Sequence, residues 1–330
     1  MKQSLLLSLA IVLVWAVLGA LAAGSRGAAA AGGEAPSAVG GEAREAAPPT
    51  ENPAEPAAAD EELTVTVCVG GTDRRMALDE YLTGVLLAEL PGSFHEEAFK
   101  AQAVASRTYV LRASEHPKHG AAAVCTDSAC CQAWVDPGTV PAADRERAEA
   151  AVRATDGMVL RSGGELIEAT FFSCSGGRTE AAAAVWGRDL PYLQAVDSPG
   201  EEGASHFLDE TRVPLTEFCT LLRQEDPKTV FTAGPGGWVG EISYTPGGGV
   251  DRIELGGRSF TGKALRKLFG LRSTAFTLEL TASEAVFTTR GFGHRVGMSQ
   301  WGAEAMARDG KGYAEILTHY YRGVSVEPYS

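Results

Sequence analysis

Three groups of residues in this sequence have types and spacing that can do chemistry. The first is one carboxylate, Glu89, at the end of a nearly continuous apolar run over residues 78–90, just before Pro91-Gly92-Ser93. A carboxyl in an apolar setting loses solvation, its pKa rises, and it becomes a proton donor near neutral pH. The plainer reading is a glutamate that leaves a helix end into water. The second group is His119, Cys125, Cys130 and Cys131, with His116 slightly upstream. Thiolates and imidazole are the usual ligands of structural zinc, four around one ion. In an exported chain, disulfide pairing is the alternative, and the spacing leaves both open. Adjacent Cys130 and Cys131 cannot easily pair with each other, and the cysteines left over (Cys68, Cys174, Cys219) are odd in number. The third group is GFGHRVGMSQWGA, residues 291–303, whose glycines allow tight turns around His294, Ser299 and Gln300. Met298 and Trp301 supply apolar walls. Polar tips on a glycine-bent aromatic loop suit a sugar; a packed turn around a core histidine is the rival.

The elements that must position these groups follow from periodicity and turn chemistry. Residues 78–90 read as a helix that stops at the Pro-Gly break. A second helix starts at Glu96, with Ser93 three residues ahead as a capping box, and carries Ala98, Ala101, Val104, Ala105 and Thr108 at helical spacing. LTVTVCV, residues 63–69, alternates as a first strand. Residues 144–155 predict a helix, followed by a hairpin turning at Gly163-Gly164 and a glycine-rich loop over residues 173–177. Between residues 200 and 280, helical pieces at 215–223 and 262–269 alternate with short strands, predicting a second lobe inserted into the first. Residues 313–321 predict a closing helix. The fold class expected is α+β: a mixed, two-lobed body over residues 63–330 with a central substrate cleft.

Composition narrows the partners. A formal net charge of −13 over 330 residues argues against nucleic acid, which needs a basic surface. Neither a G-x-G-x-x-G fingerprint nor a GxxxxGK[ST] loop occurs, so these nucleotide-binding motifs are lacking. Within residues 1–23, the apolar run 5–23 behind Lys2 is long enough to span a bilayer, and longer than a usual signal-peptide core. We expect an uncleaved anchor with its N-terminus in the cytoplasm, a cleaved signal peptide being the other reading. Residues 24–62 are mostly Ala, Gly, Pro and Glu. They cannot bury enough surface to fold, and read as a disordered tether.

Six ordered segments resemble the stage II sporulation protein D family of peptidoglycan lytic transglycosylases. They are LAELP (87–91), KAQAVASRT (100–108), Cys131-Gln132, FSCSGG (172–177) with Thr179-Glu180, PYL (191–193) and GHRVGMSQWGA (293–303). The resemblance runs from about residue 63 to the C-terminus, and the N-terminal anchor and tether suit it.

That resemblance implies that Glu89 is the catalytic acid/base; as residues lining a sugar cleft around it we expect Arg107, Ser173, Glu180, Tyr192, His294, Ser299 and Gln300. It implies a structural Zn2+ on His119, Cys125, Cys130 and Cys131. Cys130 stands where a histidine is usual; zinc accepts either, and His116 is the substitute ligand. The implied reaction cuts the β-1,4 bond between N-acetylmuramic acid and N-acetylglucosamine, leaving 1,6-anhydro ends during engulfment. The implied partners are peptide-stripped glycan strands, an amidase of the sporulation protein P type and a membrane protein of the sporulation protein M type. The body would sit outside the cell membrane on a single span. Two other classes compete: a non-catalytic, glycan-binding amidase activator, and a cysteine hydrolase using Cys174 and His294.

Overall fold

The computed structural model describes residues 63–232 and 234–329. The expected anchor (1–23) and tether (24–62) lie outside these residues. Among the described residues no helix is long and apolar enough to cross a membrane. These residues form a mixed α and β body with eight α-helices and several small sheets, and no barrel closes among them.

The chain opens with a hairpin, β1 (Thr64–Val69) and β2 (Thr72–Ala77), and runs directly into helix α1 (Leu78–Glu89). Asp79 and Glu80 in its first turn complement the positive end of the helix. Leu90 is extended, because the proline after it disfavours helical backbone there. Glu89 is therefore the last helical residue. Helix α2 (Glu96–Glu115) follows the break. The capping box expected from Ser93 does not form: His95 is the N-cap, and its Nδ1 accepts the Glu97 N–H at 3.2 Å. The N-cap falls two residues after Ser93, out of its reach.

Strand β3 (Val124–Cys125) lies parallel to β1, so the order of this sheet is β2-β1-β3. Helix α3 (Ala142–Ala154) leads into the expected hairpin of β4 (Met158–Ser162) and β5 (Glu165–Leu166). Then come β6 (Phe171–Phe172) and the short helix α4 (Ala182–Trp186). Helix α2 is buried on nearly every face, by Ala98, Phe99, Ala101, Ala103, Val104, Ala105 and Val110, and packs against α1 and α3. Small side chains let the neighbouring helices approach it closely.

The second lobe is an insertion with its own core, running from Val213 to Phe287 and centred on Phe218, Phe269 and Phe287. It contains β7 (Leu208–Pro214), α5 (Leu215–Glu225), β8 (Val239–Tyr244), β9 (Val250–Leu255), β10 (Arg258–Thr261), α6 (Gly262–Phe269), β11 (Phe276–Leu280) and β12 (Glu284–Arg290). Its strands form two sheets, β10-β9-β8 and β11-β12-β7. It reaches ten residues further than the expected end at 280, because β12 must return to pair with β7. The chain then rejoins the first lobe through β13 (Met298–Ser299), α7 (Gln300–Arg308) and α8 (Tyr313–Tyr320). The fold closes not on the expected helix but on β14 (Ser325–Pro328), antiparallel to β4.

One buried ion pair joins the lobes. Glu180, in the first lobe, accepts from Thr245 Oγ1 at 2.7 Å and Gly249 N at 2.9 Å, in the turn between β8 and β9. Arg295 Nη1 lies 3.3 Å from the same carboxyl, and Arg295 also donates to the carbonyls of Ser175, Arg178 and Gly247. Removing one partner of such a pair strands a buried charge. Glu180→Ala is expected to cost about 3–5 kcal/mol in denaturant unfolding, with the second lobe melting first in hydrogen exchange.

Candidate functional site

Glu89 is half-buried at the C-terminal end of α1. Its Oε1 accepts the Ala133 backbone N–H at 2.8 Å and its Oε2 accepts Gln300 Nε2 at 3.2 Å. Burial pushes its carboxyl above the ordinary glutamate range, while the two N–H donors pull it partway back. Each donor is delivered by a distinct device.

Gln300 arrives through the glycine loop. Met298 and Ser299 pair in parallel with Phe171 and Phe172, joining β13 to β6. Gly297 permits this: its φ is +87°, and a Cβ there would stand 2.0 Å from the Thr170 carbonyl. Ser299 caps α7 by accepting the Gly302 N–H at 3.2 Å, which makes Gln300 its first helical residue. The ring of Trp301 packs edge-on against Phe94 at 5.0 Å, and Glu304 accepts the His95 N–H at 2.6 Å. The break after Glu89 therefore holds α7, and with it Gln300.

Ala133 arrives on a strap, residues 132–135, laid along α1. Tyr81 donates to Gln132 Oε1 at 2.8 Å, two helical turns before Glu89 and on the same face. Val135 N donates to Gly84 O at 3.2 Å. Gly84 is needed for this approach, since a Cβ there would meet Trp134 Nε1 at 2.2 Å and the Val135 carbonyl at 2.5 Å. Gln132 Nε2 and Trp134 Nε1, either side of Ala133, are buried without partners. Unpaired buried donors cost about 1–3 kcal/mol each, so the strap needs to be held from its ends.

One end is the cysteine cluster. His119, Cys125, Cys130 and Cys131 bring one ligand atom each within 4.8 Å of one another. His119 Nε2 lies 3.3 Å from Cys131 Sγ and 3.6 Å from Cys130 Sγ, and the two sulfurs are 3.9 Å apart. Strand β3 positions Cys125. The Asp127 carbonyl gathers the N–H groups of both Cys130 and Cys131, so adjacent cysteines turn toward one centre. The Cys130 thiol is pushed up to about 11 by hydrogen bonding from Cys125, by burial and by Cys131. Thiolates this close need a cation between them, and this donor set could hold one. His116 caps the C-terminus of α2 and is not part of the cluster.

The other expected cleft residues are placed as follows. Arg107 is buried and donates to the carbonyls of Val152, Thr155 and Met158, satisfying the open C-terminal end of α3. Glu180 holds the lobe joint. The Tyr192 hydroxyl accepts the Glu168 N–H at 3.2 Å in the core. Ser173 is half-buried, and its carbonyl receives the Trp301 N–H. The His294 ring is packed between Phe172 and Trp186, and its Nδ1 accepts the Val296 N–H. Burial and the nearby Arg266 charge depress it to about 4, so it is neutral at physiological pH. Of the seven, Gln300 alone hydrogen-bonds Glu89; Arg107, Glu180, Tyr192, His294 and Ser299 give side-chain polar atoms to the scaffold. The pairing of Cys174 with His294 that the rival cysteine hydrolase would need is not made. Cys174 is buried, donates to Glu201 and is raised to about 12, chiefly by burial.

Sequence reasoning did not find Ala133, which acts through its backbone, or Glu201, whose buried carboxyl gathers the Ser175 and Gly176 N–H groups and the Ser198 hydroxyl. Nothing in the side chain of an alanine could have marked it. Cavities of about 420 Å³ between α2 and α3, and of about 510 Å³ on the outer face of β8–β10, do not include Glu89.

A family profile described as SpoIID, stage II sporulation protein, matches residues 72–161. Stage II sporulation protein D of Bacillus amyloliquefaciens is 34% identical over 83% of this chain and 81% of its own. The Bacillus subtilis (strain 168) protein of that name is 34% identical over 76% and 74%. The amidase enhancer of B. subtilis (strain 168) is 27% identical over 75% of this chain and 40% of its own.

Two outcomes test this geometry. Because the folded pKa of Glu89 is raised, ionising it opposes folding. That loss sets in as pH climbs past the unfolded value, about 4.3, and is complete above the folded one. Glu89→Gln should therefore melt above the parent at neutral pH, with the gap closing below about pH 4. Gly84→Ala should destabilise by about 1–3 kcal/mol through overpacking of the strap, measured by denaturant unfolding.

Proposed function

The chain belongs to the stage II sporulation protein D family, and on that premise we propose that it is a cell-wall lytic transglycosylase with Glu89 as its single acid/base. The observation that carries this reading is one desolvated carboxyl gripped by two N–H donors at a helix end. As the neutral acid, Glu89 protonates the glycosidic oxygen between N-acetylmuramic acid and N-acetylglucosamine. The carboxylate that remains is stabilised by Ala133 N–H and Gln300 Nε2. It then takes the proton of the muramic C6 hydroxyl, which closes on the anomeric carbon as a 1,6-anhydro ring. No water attacks, so one carboxyl serves both steps, unlike the paired carboxylates of hydrolytic glycosidases. A long polymer needs an open groove rather than an enclosed cavity, which agrees with the half-exposed position of Glu89.

The Cys3His cluster is read as a structural zinc site. Zinc–sulfur bonds of about 2.3 Å and zinc–nitrogen bonds of about 2.0 Å give tetrahedral edges of about 3.8 Å between sulfurs and about 3.5 Å to nitrogen. The separations of 3.9, 3.3 and 3.6 Å fit those edges. Four protein ligands leave no position for a reactive water, so the ion's contribution is to fold residues 119–131 and anchor the strap.

The rest of the proposal concerns place and partners. The apolar residues 5–23 anchor the chain in the cell membrane, and the tether carries the body outside, where it meets glycan with an amidase and a recruiting membrane protein. The relative named amidase enhancer favours a second reading, a glycan-binding activator without its own cleavage.

Incubating the protein with peptide-stripped glycan separates the two. Anhydromuramic ends by mass spectrometry support the enzyme; stimulation of an amidase without such ends supports the activator. Glu89→Gln should abolish the anhydro ends. Gln300→Leu removes a donor that stabilises the carboxylate, so the alkaline limb of the pH profile should move to higher pH and turnover fall about ten- to hundred-fold. Stripping the metal with a chelator should lower the melting temperature and speed amide exchange over residues 119–135.

A further inference from the structure

Cys68 is not among the four clustered donors, yet the fold sets it beside one of them. Strands β1 and β3 are parallel, with Val67 opposite Val124 and Cys68 opposite Cys125. Both valines are fully buried, so Cys68 and Cys125, each half-buried, project together from the other face of the sheet. Neighbouring strands lie about 4.8 Å apart, inside the range of about 4.4–6.8 Å over which disulfides join Cα atoms. The remaining uncoordinated cysteines are elsewhere: Cys174 is buried against Glu201, and Cys219 lies on α5 in the second lobe.

We propose that Cys68 and Cys125 form a redox-sensitive pair that dismantles the metal site when a disulfide oxidant reaches it. In the metal-bound state three of the thiolates near β3 are occupied as ligands, and Cys68 is the free one beside them. Its thiolate attacks a sulfur of the oxidant disulfide, forming a mixed disulfide and expelling one thiolate. The Cys125 thiolate then attacks the Cys68 sulfur and expels the second. Two protein thiolates have together lost two electrons, and the oxidant has become two thiols. Cys125 is now withdrawn from the donor set, which keeps only His119, Cys130 and Cys131. Because the strap begins immediately after Cys131, the Ala133 N–H loses the anchor that aims it at Glu89. An extracytoplasmic body meets such oxidants, whereas a reducing compartment keeps the pair open. The pair goes beyond the glycan reaction and stands whether or not that reaction occurs; it does rest on the cluster holding zinc.

The test uses full-length, zinc-loaded protein exposed to oxidised glutathione. Released zinc is read with a colorimetric chelator, and linked peptides are mapped by mass spectrometry. The parent chain should release its zinc and yield a peptide joining Cys68 to Cys125, and reduction with added zinc should reverse both. Cys68→Ser should bind zinc normally and release it several-fold more slowly, while Cys219→Ser should behave as the parent. Equal release from Cys68→Ser, or links confined to Cys125, Cys130 and Cys131, would overturn the pair. A parent chain that takes up no zinc would overturn it too, and the glycan assay would be unaffected by that result.

Discussion

The structure depends on one carboxyl being gripped from both sides at the end of a helix. Glu89 receives one N–H from a residue 44 positions away and another from a residue 211 positions away. Neither donor is charged, so the group keeps a raised proton affinity while its ionised form is still stabilised. A lysine or arginine in either place would have held the carboxylate permanently ionised. In the reaction proposed for Glu89, neutral donors are what would let one side chain give a proton and later take one back.

Much of the first lobe can be understood as support for that grip. Pro91 ends α1 immediately after Glu89, and the residues beyond it, Phe94 and His95, clasp α7 and so bring Gln300 into place. On the other side the strap has poor internal satisfaction, with two buried donors unpaired. It stays on α1 because its start is tied to the cysteine cluster and its course is shaped by Gly84 and Tyr81. A metal held by that cluster would thus influence Glu89 by shaping a backbone path, with no charge acting at a distance.

The lobes are joined by a different kind of interaction. Arg295 adopts φ 66°, rare for a non-glycine residue, and gives its guanidinium to three carbonyls and the Glu180 carboxyl. That clamp sits directly after His294, whose ring is neutral and packed between aromatic side chains. The glycine-rich loop therefore has two jobs along its length: its start locks the lobes, and its end delivers Gln300 through the cap at Ser299.

Local chemistry was legible wherever it is written in consecutive residues. The apolar run with its Pro-Gly stop located α1 and put Glu89 at its end, because proline restricts the residue before it whatever the tertiary context. The clustering of His119, Cys125, Cys130 and Cys131 was visible because these side chains fall within one short stretch of chain, and alternation and turn residues marked most strands and helices. What only the tertiary structure decided were the roles of side chains that share a type with binding residues. Arg107, Glu180, Tyr192 and Ser299 carry polar groups suited to a sugar, and each spends them on a helix end, a lobe joint, a core amide or a cap. The N–H of Ala133 could not be read at all, since a backbone donor has no residue type. Its direction is set by where residues 132–135 lie on α1, and that comes from packing across the whole first lobe.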